Sequence, residues 1–243
     1  MPPGKHDFDL TTFFPLFSSY TYRLINDAWS VTYTTLSVLE DFAADGVVYL
    51  ELRTTPRSTS TFTPTAYVQT VLSAISQFSA TNKTMHTRLI LSIDRRHSLA
   101  TAHQTLLLAR KFSDSGVVGL DLCGDPSHLS IAHLAPVFLE ARATLPSLGL
   151  TLHFAETEGC GTEEELGMLL SWKPDRIGHV IYVPARIRND IIARRGMGLE
   201  LCLSCNVHAG MICGGFESHH FGEWWKVEGC NVVLSVSLFR SCC

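Results

Sequence analysis

The chain has 243 residues, 46% of them hydrophobic and 17% charged, with a formal net charge of −4. A chain this apolar buries a sizeable core, so disorder and an extended charged tail are excluded as its main character. It carries no basic stripe to draw nucleic acid and no apolar run long enough to span a membrane.

In chain order, the opening MPPGKHDFDLTTFF lacks the basic-then-apolar order of a secretory leader, so a cytoplasmic address is expected. The first forty residues read as helical and end in TLSVLEDFAADG, with Gly46 as the stop. GVVYLELR (46–53) is the first strand signal, followed by the helical pattern TPTAYVQTVLSAISQFSA, which starts at Thr63 and Pro64. TRLILSID (87–94) leads to the helical SLATAHQTLLLARKFSDSG, and GVVGLDLC (116–123) to the helical SIAHLAPVFLEARATLPSLG. LTLHFAE (150–156) precedes TEEELGMLLSWK, where Thr162 and Glu165 mark a helix start. DRIGHVIYV (175–183), GLELCLS (198–204) and CNVVLSV (230–236) complete seven strand signals.

Several of these runs are almost continuously apolar, as parallel strands covered on both faces must be. Strand–helix alternation at this spacing predicts one domain over 1–243 with a parallel sheet and helices outside. An open doubly wound sheet and a TIM (β/α)8-type barrel compete. No glycine-rich phosphate loop follows an early strand, which weakens the first. Arg53, Asp94, Asp121, His153, Glu156, His179 and Asn206 close many different strands, which favours a barrel with its site at the strand ends. Seven strands where a closed barrel has eight make the barrel incomplete. The eight cysteines lack the spacing of a disulfide framework, so reduced thiols are expected.

His153 and Glu156 flank one strand end, and His179 closes the next strand after Gly178. Neighbouring strand ends converge in a barrel, so an imidazole able to ligate a metal, a proton-carrying carboxylate and a second histidine meet. Taken singly, each histidine is also compatible with a hydrogen-bonded structural role. In LDLCGDP, Gly124 lets backbone approach a flat ligand, although Asp125-Pro126 is also an ordinary turn. In ELRTTPR, Thr54, Thr55 and Arg57 suit a phosphate or carboxylate; alternatively, Arg53 or Arg57 pairs with an internal carboxylate.

The ordered set ELRTTPR, SIDRR, GLDLCGDP, LHFAETEG, DRIGHV, LELCLSCN and SHHFGEWW resembles the adenosine/AMP deaminase family. Within it, the set is most similar to the adenosine-deaminase-like branch that acts on N6-methyl-AMP and related N6-substituted purine nucleotides. The resemblance covers roughly residues 8 to 235. It implies a barrel of the metal-dependent hydrolase kind with one Zn²⁺. It implies that His153 is a zinc ligand, that Glu156 handles the proton at purine N1 and that His179 orients the activated water. Gly124 would contact the base, and Thr54, Thr55, Pro56, Arg57 and Asp94 would lie along the ribose-phosphate end. The expected ligand is a purine nucleotide or nucleoside, bound by a monomer.

Two family features are absent from the sequence: an H-x-H pair on a first strand and an Asp-Asp pair closing the last. The reading is therefore a chain shortened at both ends, lacking the first strand and the end of the last. His6, His219 and His220 do not replace the missing ligands. One histidine cannot hold a catalytic zinc, so little or no activity is expected of these residues alone. Two other functions compete with the deaminase: a non-catalytic purine-binding protein derived from the family, and an unrelated metal-dependent amidohydrolase.

Overall fold

The computed structural model describes residues 17–128 and 130–235. The expectations for His6, for the opening residues and for the tail from Val236 lie outside them. Seven strands form one all-parallel sheet in the order of the chain. They are β1 (Tyr49–Thr54), β2 (His86–Asp94), β3 (Val117–Cys123), β4 (Gly149–Phe154), β5 (Arg176–His179), β6 (Gly198–Leu201) and β7 (Asn231–Leu234). Consecutive order, with no reversal, excludes the doubly wound alternative.

The sheet is rolled. Adjacent strands lie about 4.8 Å apart, so β1 and β6 would be about 24 Å apart if the sheet were flat. Yet Arg53 on β1 bonds Glu200 on β6, and Arg176 on β5 reaches Glu51 on β1 at 2.6 Å. Only a curled sheet brings those strands face to face across an interior, which is the incomplete barrel expected. Among the described residues β1 and β7 do not pair with each other, so each leaves an edge.

Alternation along the strands separates two environments. Leu89, Leu91 and Ile93 of β2, Leu120 and Leu122 of β3, and Leu150 and Leu152 of β4 point outward into one continuous core. The helices close that core: α1 (Ala28–Ala44), α2 (Pro64–Thr81), α3 (Leu99–Lys111), α4 (Ala135–Thr144), α5 (Glu163–Ser171) and α6 (Ala185–Ala193). Two short helices follow, α7 (Leu203–His208) and α8 (Phe221–Trp224). Helix starts follow the side-chain chemistry. The Thr63, Ser98 and Thr162 hydroxyls accept from Ala66, Thr101 and Glu165 N–H, and Asp27 forms a reciprocal box with Ser30.

Most inward positions are polar, namely Arg53, Ser92, Asp121, Thr151, Arg176 and Glu200, with Ile90 an apolar residue among them. Register places them in rows, with Ser92 beside Asp121, Asp121 beside Thr151 and Thr151 beside Arg176. Glycine makes the room. A Cβ at Gly198 would lie 2.5 Å from Arg176 Cγ.

Three expectations needed correction. The strand drawn over 175–183 stops at His179, because His179 and Val180 adopt left-handed backbone, with φ of 63° and 58°. The strand drawn over 198–204 stops at Leu201, and α7 begins at Leu203. No helix was expected over α6, whose exposed face is rich in arginine and asparagine. Among the described residues no helix is long and apolar enough to cross a membrane. Of the described cysteines, Cys160, Cys202 and Cys205 are buried and Cys213 is exposed.

Candidate active site

The ends of β4 and β5 bring His153, Glu156 and His179 together. The His153 and His179 rings have centroids 5.2 Å apart, and His179 Nε2 lies 3.5 Å from Glu156 Oε1. Register aligns Phe154 with His179, so the two strand ends are level. The backbone around them is strained. Ala155 (φ 52°), His179 and Val180 are non-glycine residues in left-handed conformation, each costing on the order of 1–3 kcal/mol. Val180 N–H donates to Phe154 O at 3.0 Å, and Ile181 and Tyr182 N–H both donate to Ala155 O, which holds the bend.

Beneath this group runs a buried ionic network. Asp121 Oδ1 receives His153 Nδ1 at 3.1 Å and Arg53 Nη1 at 3.5 Å, while its Oδ2 accepts from the Ser92 hydroxyl at 2.9 Å. Glu200 accepts from Arg53, from the Thr151 hydroxyl at 2.9 Å and pairs with Arg176 at 3.2 Å. Burial alone would raise the Asp121 carboxyl, but the charges of His153 and Arg53 outweigh it and hold it below the usual range. Burial would lower His153, and the Asp121 carboxylate outweighs that and raises it. His179 is lowered, by burial first and by His153, against the opposing pull of Glu156.

The other expected residues lie at the end of β1 and beside β2 and β3. Pro56 is buried, the Thr54 hydroxyl meets Tyr67 OH at 2.7 Å, and Thr55 Oγ1 lies 3.7 Å from Cys123 Sγ. Arg57 stands over the Tyr22 and Tyr67 rings, 4.6 and 5.2 Å from their centroids, and donates to the Ile25 carbonyl. Its Nε is buried with no hydrogen-bond partner among the described residues. Arg53, not Arg57, is thus the arginine paired with internal carboxylates. Asp94 is clamped by Arg96, whose Nη2 lies 2.6 Å from Oδ2. Gly124 backs onto Asp94: at φ +107° a Cβ there would lie 2.6 Å from Asp94 Oδ1. A cavity of about 240 Å³, lined in part by Tyr22, Arg53, Thr54, Thr55, Arg57 and Ser92, opens beside them.

The donors supply part of a metal site. His153 suits one ligand position, because a carboxylate on Nδ1 fixes the ring and leaves Nε2 as the coordinating nitrogen. Among the described residues no group of three His, Cys, Asp or Glu is placed to share an ion. A catalytic zinc takes three protein ligands, so these residues alone do not complete its site. The sequence reading passed over Glu200 and the way His219 and His220 approach His179. Charged residues flanked by leucines, as in LEL and LDL, were the available signal.

Comparison with known proteins follows the same geometry. The sequence profile of the family described as Adenosine deaminase matches residues 4–217. The chain is 35% identical over 224 residues to the N6-Methyl-AMP deaminase of Mus musculus, covering 88% of this chain and 61% of that protein. Its structure superposes on the Arabidopsis N6-mAMP deaminase with a TM-score of 0.87 at 31% identity, over 96% of this chain and 69% of that one. Arabidopsis ADAL complexed with GMP matches with a TM-score of 0.87 at 31% identity, over 96% and 68% of the two chains. The chain thus spans about three fifths of the length of the mouse relative.

Proposed function

This chain belongs to the adenosine deaminase family, and from that premise we propose that it serves a zinc-dependent hydrolytic deamination of purine nucleotides. The substrate is N6-methyl-AMP or a related N6-substituted AMP, with adenosine as the nucleoside counterpart, and the product is the 6-oxo purine. The observation that carries the reading is the convergence of His153, Glu156 and His179 over a buried carboxylate, Asp121. Names of relatives support the substrate class, and a relative with bound GMP supports a purine monophosphate as ligand.

In this reading Glu156 carries the proton to purine N1, and His179 faces the oxygen added at C6. Zinc, when bound, supplies Lewis-acid activation of the attacking water. His153 holds one place in its ligand set, with Asp121 fixing the ring. Thr54, Thr55, Pro56, Arg57 and Asp94 line the ribose-phosphate end and Gly124 the base. For Arg57 this requires its guanidinium to turn from the Ile25 carbonyl toward the phosphate; the unpartnered buried Nε shows a donor free for such a partner among the described residues. The protein is proposed to be a cytoplasmic monomer with a single domain.

Two measurements on one preparation test the proposal: calorimetric binding of N6-methyl-AMP, and its conversion followed by the absorbance of the substituted purine with zinc added. Binding is expected, with turnover by these 243 residues weak or absent because their zinc site is incomplete; any turnover must depend on zinc and fall at least about 100-fold in Glu156→Gln. Turnover that needs no zinc, or that is unchanged in Glu156→Gln, overturns the catalytic reading. Failure to bind any purine monophosphate or nucleoside overturns both that reading and a purine-binding role.

A further inference from the structure

Behind His179 lie two histidines that the proposed chemistry does not use. His220 Nε2–H donates to the His179 carbonyl at 2.6 Å, bracing the left-handed backbone there. His219 reaches the His179 ring through Asn206, a fully buried side chain on α7. Asn206 Oδ1 lies 2.8 Å from His179 Nδ1, and its Nδ2 lies 3.1 Å from His219 Nε2.

The proton count along this chain is fixed at its far end. The Phe221 backbone N–H donates to His219 Nδ1 at 3.0 Å, so that nitrogen carries a lone pair. Burial, reinforced by His220 and His179, pushes the His219 pKa down to about 4, so the ring is neutral at pH 7. A neutral imidazole has one N–H, which must then sit on Nε2. With the Asn206 NH2 group facing it, His219 would have to accept at both ring nitrogens, as only an imidazolate does. The oxygen and nitrogen of an amide have the same shape, and their partners decide which is which. Exchanging them resolves the conflict: His219 Nε2–H donates to the amide oxygen, and the amide NH2 donates to His179 Nδ1.

We infer that Asn206 is a positioning residue that locks His179 as the Nε2–H tautomer. The ring therefore offers an N–H donor, not a lone pair, on the side where Glu156 Oε1 lies 3.5 Å away. A fixed donor suits an oxygen that gains negative charge during reaction, whereas a lone pair would suit a general base. This consequence rests on the deaminase reading; the tautomer itself does not.

Histidine ¹⁵N NMR of the full 243-residue chain tests it, with His179 assigned by loss of its signals in His179→Gln. Wild type is expected to show His179 protonated at Nε2 and bare at Nδ1. In Asn206→Asp, a carboxylate of the same shape accepts from both rings, and His179 Nδ1 gains a proton. A wild-type spectrum with the proton on Nδ1 overturns the inference, and this arm stands even where the variant does not fold. A folded Asn206→Asp with His179 unchanged overturns it as well. Where turnover is measurable, Asn206→Asp lowers kcat about 10- to 100-fold with KM little changed, the scale on which outer-shell partners act. Failure of the wild-type chain to bind any purine monophosphate or nucleoside, with the expected tautomer intact, would sink the deaminase reading and leave this inference standing.

Discussion

Replacing Arg53 by methionine isolates what holds the barrel interior together. The guanidinium bridges β1 to Asp121 on β3 and Glu200 on β6, carboxylates with 0% and 3% exposure. Removing one partner of a buried pair typically costs about 3–5 kcal/mol, because a charge is left without compensation. Here each carboxylate keeps other partners: Ser92 and His153 on Asp121, Thr151 and Arg176 on Glu200. The Arg53 side chain is also 24% exposed, so solvent screens part of the interaction. The expected loss is therefore at the low end, about 3 kcal/mol, against a total stability on the order of 5–15 kcal/mol. Equilibrium urea denaturation followed by circular dichroism at pH 7 reads it as a midpoint shift of about 1 M or more. The pH dependence has a definite sign. Asp121 has a depressed folded pKa, so its stabilising contribution is present above the unfolded value and is lost as pH falls through the folded one. Without Arg53, burial gains weight and raises that pKa, so protonation relieves the variant. The gap between variant and wild type must shrink as pH falls from 7 to 5, and adding Glu200→Gln to Arg53→Met must recover part of the loss. A loss below about 1 kcal/mol, or a gap that widens at low pH, refutes the reasoning.

Two further predictions concern the surroundings of the site. Gly124→Ala forces a Cβ to within 2.6 Å of Asp94 Oδ1 at φ +107°, so a loss of about 2 kcal/mol and a loosened Asp94–Arg96 pair are expected; an unchanged urea midpoint would show that the loop relaxes freely. Burial lowers His97, His179, His219 and His220, while His153 alone among the shifted histidines is raised. The unfolded chain therefore takes up more protons than the folded one below about pH 6.5, and each depressed histidine contributes a loss of up to about 1.4 kcal/mol per pH unit down to its folded pKa. His153 opposes with the other sign, so the net is a fall in urea midpoint from pH 7 to 5; a flat or rising midpoint contradicts it.

Much of the fold was written in the apolar runs. RLILSID and VVGLDLC are continuous enough to demand cover on both faces, and they became β2 and β3. The boundary misplaced at His179 has a visible cause. In DRIGHVIYV the β-branched and aromatic IYV prolongs the pattern past His179, but hydrogen bonds from residues 180–182 to the end of β4 and to Ala155 hold the backbone left-handed there. The overlooked helix α6 presents only Ile187 and Ile191 as buried contacts, four residues apart, among arginines and an asparagine. That is one turn of amphipathic signal, too little to stand out, and tertiary packing supplies the rest.

The site was legible in part, and for an incomplete reason. Barrel closure predicts that neighbouring strand ends converge, and His153 and His179 do converge. Strand alternation, however, places His179 on the same side as Ile177, which is buried in the outer core with the helices. An imidazole continuing that strand would face away from His153. The left-handed φ at His179 and Val180 swings the ring inward, and the His220 bond to the His179 carbonyl and the bond from Val180 N–H to Phe154 O keep it there. The meeting of the two rings thus depends on a distortion that no local pattern announces and that residues some forty positions away stabilise. This is also why SHHF is informative only in three dimensions: one histidine holds the strained backbone and the other orders the protons on the ring it carries.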